Sequence, residues 1–83
     1  MTSIKKNSLH PGVIVRGEME YLGIKVEELA QRMSIEVETL RLLIEAKCNV
    51  SPEIAAKLEQ AIGSTAEQWL RIQNTYNVRE SLN

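Results

Sequence analysis

Val26-Glu27-Glu28-Leu29-Ala30-Gln31-Arg32-Met33-Ser34-Ile35-Glu36-Val37-Glu38-Thr39-Leu40-Arg41-Leu42-Leu43-Ile44-Glu45 carries two apolar registers at helical spacing, separated by a serine. Counting Val26 as the first position, the fourth and eighth are Leu29 and Met33, and the fifth is Ala30, small enough for two helices to cross closely. The tenth, fifteenth and eighteenth are Ile35, Leu40 and Leu43, all suited to a core. This is the size pattern of a helix-turn-helix. At the ninth position, where glycine would serve a left-handed turn, stands Ser34, at a cost of about 1 kcal/mol in backbone strain. The same residues also suit two amphipathic helices of a bundle joined by a short turn.

Outward from this pair, the punctuation predicts three more helices. Upstream, His10-Pro11-Gly12 opens a first helix, with Pro11 at a position where a missing N–H costs nothing. That helix runs to Leu22, with Val13, Ile14 and Met19 inward, and Gly23 stops it. The second helix spans Lys25 to Met33, and the third runs from Glu36 or Val37 to Ala46. Downstream, Ser51-Pro52-Glu53 combines a capping hydroxyl, a first-turn proline and an acid at the positive dipole end. This fourth helix carries Ile54, Ala55, Leu58 and Ile62 and ends at Gly63. Ser64-Thr65-Ala66-Glu67 reads as a capping box for a fifth helix ending near Tyr76 or Asn77. The expectation is an all-α five-helix bundle: an arm at 1–8, a domain at 9–77 with the motif at about 26–45 and a packing helix at about 65–77, and a tail at 78–83.

Eighty-three residues make one small domain, for which dimerisation is a natural supplement to a modest core. There is no Phe, one Trp and two Tyr, and Gly and Pro are scarce. Cys48 stands alone, so no intramolecular disulfide forms, which fits a reducing cytoplasm. No apolar run approaches the roughly 20 residues a membrane span needs. Ten basic and eleven acidic side chains give a net charge of −1. Any nucleic-acid binding must therefore come from local patches rather than a general positive field.

The flanks of the motif add a resemblance. His10-Pro11-Gly12, Ser51-Pro52-Glu53, Gly63-Ser64-Thr65 and Trp69-Leu70-Arg71-Ile72-Gln73-Asn74-Thr75-Tyr76 together resemble the HigA/VapI antitoxin family. That family opens with a His-Pro-Gly segment and closes with a helix reading approximately Trp-Leu-x-Leu-Gln-x-x-Tyr. The match spans Leu9 to Tyr76. It implies a Cro/repressor-type, lambda-repressor-like helix-turn-helix that dimerises, represses its own operon through a palindromic double-stranded operator, and neutralises a toxin of the HigB type.

In such a domain the third helix enters the major groove. Its outward positions here are Glu36, Val37, Glu38, Arg41, Leu42 and Glu45, where the family more often has Ser, Thr, Arg or Asn. Carboxylates facing a polyanion are unfavourable unless each accepts from a cytosine amino group. The residues expected at DNA are Lys25, Glu36, Glu38, Arg41, Leu42, Glu45 and Lys47, with Lys5, Lys6 and Arg32 as further donors. An acidic, partly apolar face equally suits a protein partner read without DNA, or plain solvation. On the last helix Trp69 is expected in the core, with Leu70, Gln73 and Tyr76 toward a dimer seam.

No catalytic, metal or cofactor site emerges. His10 lacks a second His and is read as a capping or packing residue, and Cys48 has no basic partner beyond Lys47. The pairs Glu27/Glu28 and Glu36/Glu38 read as solvated faces, and there is no glycine loop for phosphate.

Overall fold

In the computed structural model, which describes residues 10–82, five helices follow one another: α1 Pro11–Leu22, α2 Val26–Met33, α3 Val37–Ile44, α4 Pro52–Ala61 and α5 Ala66–Ser81. There is no strand among the described residues. The core is one cluster drawn from every helix and the α3–α4 loop. Val15 and Met19 of α1 meet Leu29, Ala30 and Met33 of α2, Leu40 and Leu43 of α3, Val50, Ala55 and Leu58 around α4, and Trp69 of α5.

The α2–α3 pair packs as its residue sizes require. Ala30 is 1% exposed at the crossing, and Leu40 and Leu43 are fully buried. Ile35 is half-buried against the cluster. Ser34 sits at φ 57°, ψ 44°, the left-handed conformation of the turn. Its N–H donates to the Gln31 carbonyl (3.1 Å), and that of Ile35 donates to Ala30 (3.0 Å). These bonds close the last turn of α2 and aim the chain into α3.

The starts of α1 and α4 have local causes. His10 accepts a hydrogen bond through Nδ1 from the Gly12 N–H (2.9 Å), and Pro11 follows it at the first helical position. Gly12 has a tertiary reason as well: a Cβ there would overlap the Leu43 carbonyl, so only glycine lets α1 lie against the end of α3. Ser51 Oγ accepts from the Ile54 N–H (3.1 Å) to open α4.

Five boundaries differ from the sequence expectation. Lys25, expected within α2, is its N-cap, and Ile62, expected on α4, is its C-cap. Ala46 lies outside α3: Glu45 caps the helix, and Ala46 turns left-handed at φ 61°, with the Lys47 N–H returning to the Leu42 carbonyl at 2.8 Å. The cap of α5 stands one residue later than the expected Ser64, because Ser64 itself is left-handed (φ 60°). Thr65 is the cap, its Oγ1 accepting from the Gln68 N–H (3.0 Å). The last helix does not stop at Tyr76 or Asn77 but continues to Ser81, since no Gly or Pro interrupts 77–81. Residues 78–81 of the expected tail are therefore helical. The expected arm at 1–8, with Lys5 and Lys6, lies outside the described residues, as do Leu9 and Asn83.

The polar groups of the core are all matched. Gln73 is only 4% exposed and brackets the α3–α4 loop onto α5. Its Oε1 accepts from Val50 N–H (2.8 Å), while Nε2 donates to Asn49 Oδ1 and Asn77 Oδ1 (both 3.1 Å). Trp69 Nε1 donates to the Gly63 carbonyl at 2.9 Å. The His10 ring, buried, meets Tyr76 edge-on at a centroid distance of 4.8 Å. Burial holds the imidazole below its ordinary value of 6.5, while a hydrogen bond to the Cys48 backbone pulls it the other way.

Candidate nucleic-acid interface

With Leu40 and Leu43 turned into the core, α3 presents an opposite face of Glu38, Thr39, Arg41 and Leu42, all exposed. Glu36 and Glu45 frame it as the exposed N-cap and C-cap residues. Lys25, the N-cap of α2, and Lys47, just beyond α3, are also at the surface. Glu36, Glu38, Arg41, Leu42, Glu45 and Lys47 therefore all reach solvent on or beside α3, and Lys25 does so at the start of α2. Val37 does not share this face: it is half-buried against the core. Thr39 was missed; a helical wheel centred away from Leu40 and Leu43 places it at the edge of the exposed arc, where it supplies a hydroxyl.

The charges on this unit are mostly matched to one another. Arg41 Nη2 lies 3.3 Å from Glu27 Oε2 across the two helices, Arg32 pairs with Glu28 at 2.8 Å one turn along α2, and Lys47 with Glu45 at 3.4 Å. Of the four cations in residues 25–47, only Lys25 has no ion partner among the described residues, and of the five carboxylates, Glu36 and Glu38 have none. The exposed pairs are worth little in stability, on the order of 0.5 kcal/mol each. Their consequence is electrostatic: the unit offers phosphates few uncompensated positive charges.

The ends of α3 differ in their capping. Glu36 makes no side-chain cap bond, so the first-turn N–H groups of α3 remain open toward the exposed face, with Glu38 beside them at the positive dipole end. At the other end Arg16 Nη2 donates to the Ile44 carbonyl (3.3 Å), tying α1 to the exit of α3.

On α5 the expected seam residues separate. Leu70 and Tyr76 are half-buried, Leu70 against the core and Tyr76 against His10. Gln73 belongs to no surface. It faces inward, where its Oε1 gives the buried Val50 N–H of the α3–α4 loop a partner that it would otherwise lack. The sequence signal for this role was only its register four residues after Trp69.

Among the described residues no group of three or more His, Cys, Asp or Glu side chains could hold a metal ion. Burial pushes the Cys48 thiol up, which keeps it protonated. Among those residues no helix is long and apolar enough to cross a membrane.

Comparison with known proteins gives a consistent set of relatives. No protein-family model matches the chain. It is 33% identical over 75 residues to the HTH-type transcriptional regulator YddM of Escherichia coli, covering 90% of this chain and 80% of that protein. It is 37% identical over 73 residues to virulence-associated protein A of Dichelobacter nodosus, covering 86% and 72%. Antitoxin HigA-1 of Vibrio cholerae is 31% identical over 84 aligned positions, covering 100% of this chain and 79% of the antitoxin. Among solved structures, a chain described as an antidote protein of a plasmid maintenance system from Nostoc punctiforme superposes with a TM-score of 0.85. It is 23% identical, over 88% of this chain and 80% of that one, and shares the fold.

Proposed function

The chain belongs to the HigA/VapI-type helix-turn-helix family of regulators and antitoxins, and on that premise we propose that it is a dimeric, non-enzymatic regulator acting in the cytoplasm. It binds a double-stranded operator in its own promoter through α3 and neutralises a toxin of the HigB type. The observation that carries the DNA half is the α2–α3 pair itself. Ala30, Leu40 and Leu43 hold it from inside, Ser34 makes its turn, and α3 is left with one side free. Lys25 and Arg41 are the phosphate donors, with Lys47 a lesser one, and Glu38, Arg41 and Leu42 lie at base edges. Dimerisation doubles this small footprint and matches a palindrome, with Leu70 and Tyr76 nearest the seam.

The test is fluorescence anisotropy of the full chain with its upstream promoter fragment and with random duplex, at several salt concentrations. Tighter binding of the promoter fragment is expected, with affinity falling as salt rises. Equal affinity for both fragments would remove the repressor role.

A second reading is favoured by one specific observation. Three of the four cations on the α2–α3 unit are already paired with carboxylates. A face so compensated suits a toxin-binding module that does not read DNA. Co-purification of a neighbouring toxin by a chain that binds no duplex identifies that case.

A further inference from the structure

This inference rests on operator binding by α3 and concerns which bases that helix selects. Of the five carboxylates on the α2–α3 unit, Glu27, Glu28 and Glu45 are engaged by Arg41, Arg32 and Lys47. Glu36 stands before the helix, at the N-cap, in an extended conformation. Glu38 alone is on the helix, exposed, and without an ion or hydrogen-bond partner among the described residues. Leu42 follows at i+4 on the same face and is 38% exposed, a large apolar side chain with no core role. Arg41, between them, is drawn toward α2 by Glu27.

We propose that Glu38 is the base-selecting residue of this chain, accepting from a cytosine amino group in the major groove, and that Leu42 packs on a thymine methyl beside it. An ionised carboxylate only accepts hydrogen bonds. The groove edges of guanine and the O4 of thymine are acceptors and repel it, and adenine sets its N7 lone pair beside its amino group. Cytosine's own groove edge carries an amino donor and no acceptor, the O6 of the paired guanine lying on its far side. Glu38 stands in the first turn of α3, at the positive end of the helix dipole. Leu42 has no polar atom, and the thymine methyl is the apolar group that groove provides. Side chains one helical turn apart are about 5–6 Å apart at Cβ, and bases on one strand rise about 3.4 Å. The cytosine and the thymine therefore stand within two base pairs of each other.

The experiment is selection of the full chain against a pool of randomised duplexes, followed by anisotropy on the enriched sequence. A half-site with cytosine and thymine within two pairs is expected. Glu38→Gln should lose a preference of roughly tenfold for cytosine and turn toward adenine, whose N6 and N7 a glutamine amide engages together. Leu42→Ala should cease to distinguish thymine from uracil, which lacks the methyl. Both side chains are exposed, and circular dichroism checks that helix content is kept. An enriched sequence for which Glu38→Gln retains the cytosine preference overturns this assignment and leaves operator binding standing. No enrichment, with equal affinity for every duplex, overturns both.

Discussion

Ser34, His10 and Gly12 show how single residues carry this fold. Ser34 holds a left-handed conformation that glycine adopts freely. Ser34→Gly should raise the unfolding free energy by about 1 kcal/mol in urea titrations, partly offset by glycine's greater freedom when unfolded. Gly12 is the reverse case, because a methyl group there meets main chain, which cannot rotate away. Gly12→Ala should destabilise the protein by about 2–3 kcal/mol or more, read in the same titration. His10 links the first helix to a pH dependence. Its Nδ1 must stay unprotonated to accept from Gly12, and burial lowers its affinity for a proton. As pH falls, the unfolded chain takes up this proton first. The His10 contribution is complete above the ordinary value of 6.5 and is lost as pH falls through it toward the lower folded value. Urea midpoints measured across that window should fall for the natural chain, with a flatter profile for His10→Asn, which retains a capping acceptor.

Among the helices, α1 and the α2–α3 pair offer separate tests. Gly17 lies within α1, and a Cβ there would meet nothing within 4 Å. Gly17→Ala should therefore stabilise by about 1 kcal/mol from helix propensity alone, seen as a raised Tm. No contact among the described residues explains why glycine stands at this position. The Glu27–Arg41 pair joins α2 to α3 but is half in water. Glu27→Gln should leave stability within about 0.5 kcal/mol. It should raise affinity for random duplex, because Arg41 then faces phosphates without a competing carboxylate, and anisotropy at low salt measures it. Unchanged affinity would mean that α3 is not the surface that approaches DNA.

For the whole molecule, the net charge of −1 and the matched ion pairs set the electrostatics of binding. With Lys25 lacking an ion partner among the described residues and Arg41 and Lys47 partly compensated, a dimer should neutralise only about 2–4 phosphates. The slope of log affinity against log salt should then be shallow, about −2 to −4. A steeper slope would place cations from other parts of the chain at the DNA. A chain this small also buries a modest fraction of its surface, so dimerisation should appear as a Tm that rises with protein concentration.

The helices and the motif were legible in the residues because both depend on neighbours in the chain. Pro11, Ser51-Pro52 and the spacing of Leu29, Ala30, Met33, Leu40 and Leu43 act through hydrogen bonds and helical periodicity over a few positions. What folding alone decided lies in contacts between distant positions. Arg41 meets Glu27 fourteen residues away, Gln73 meets Val50 and Asn49 at separations of 23 and 24, and Gly12 lies under Leu43. A helical wheel says that a glutamate or glutamine can face outward, not whether a partner on another helix has taken it. For that reason α3 and its outward face were visible in the sequence, whereas Glu38 as the one carboxylate on α3 without a partner among the described residues, and Gln73 as an inward bracket rather than a seam residue, emerged only once the helices were packed.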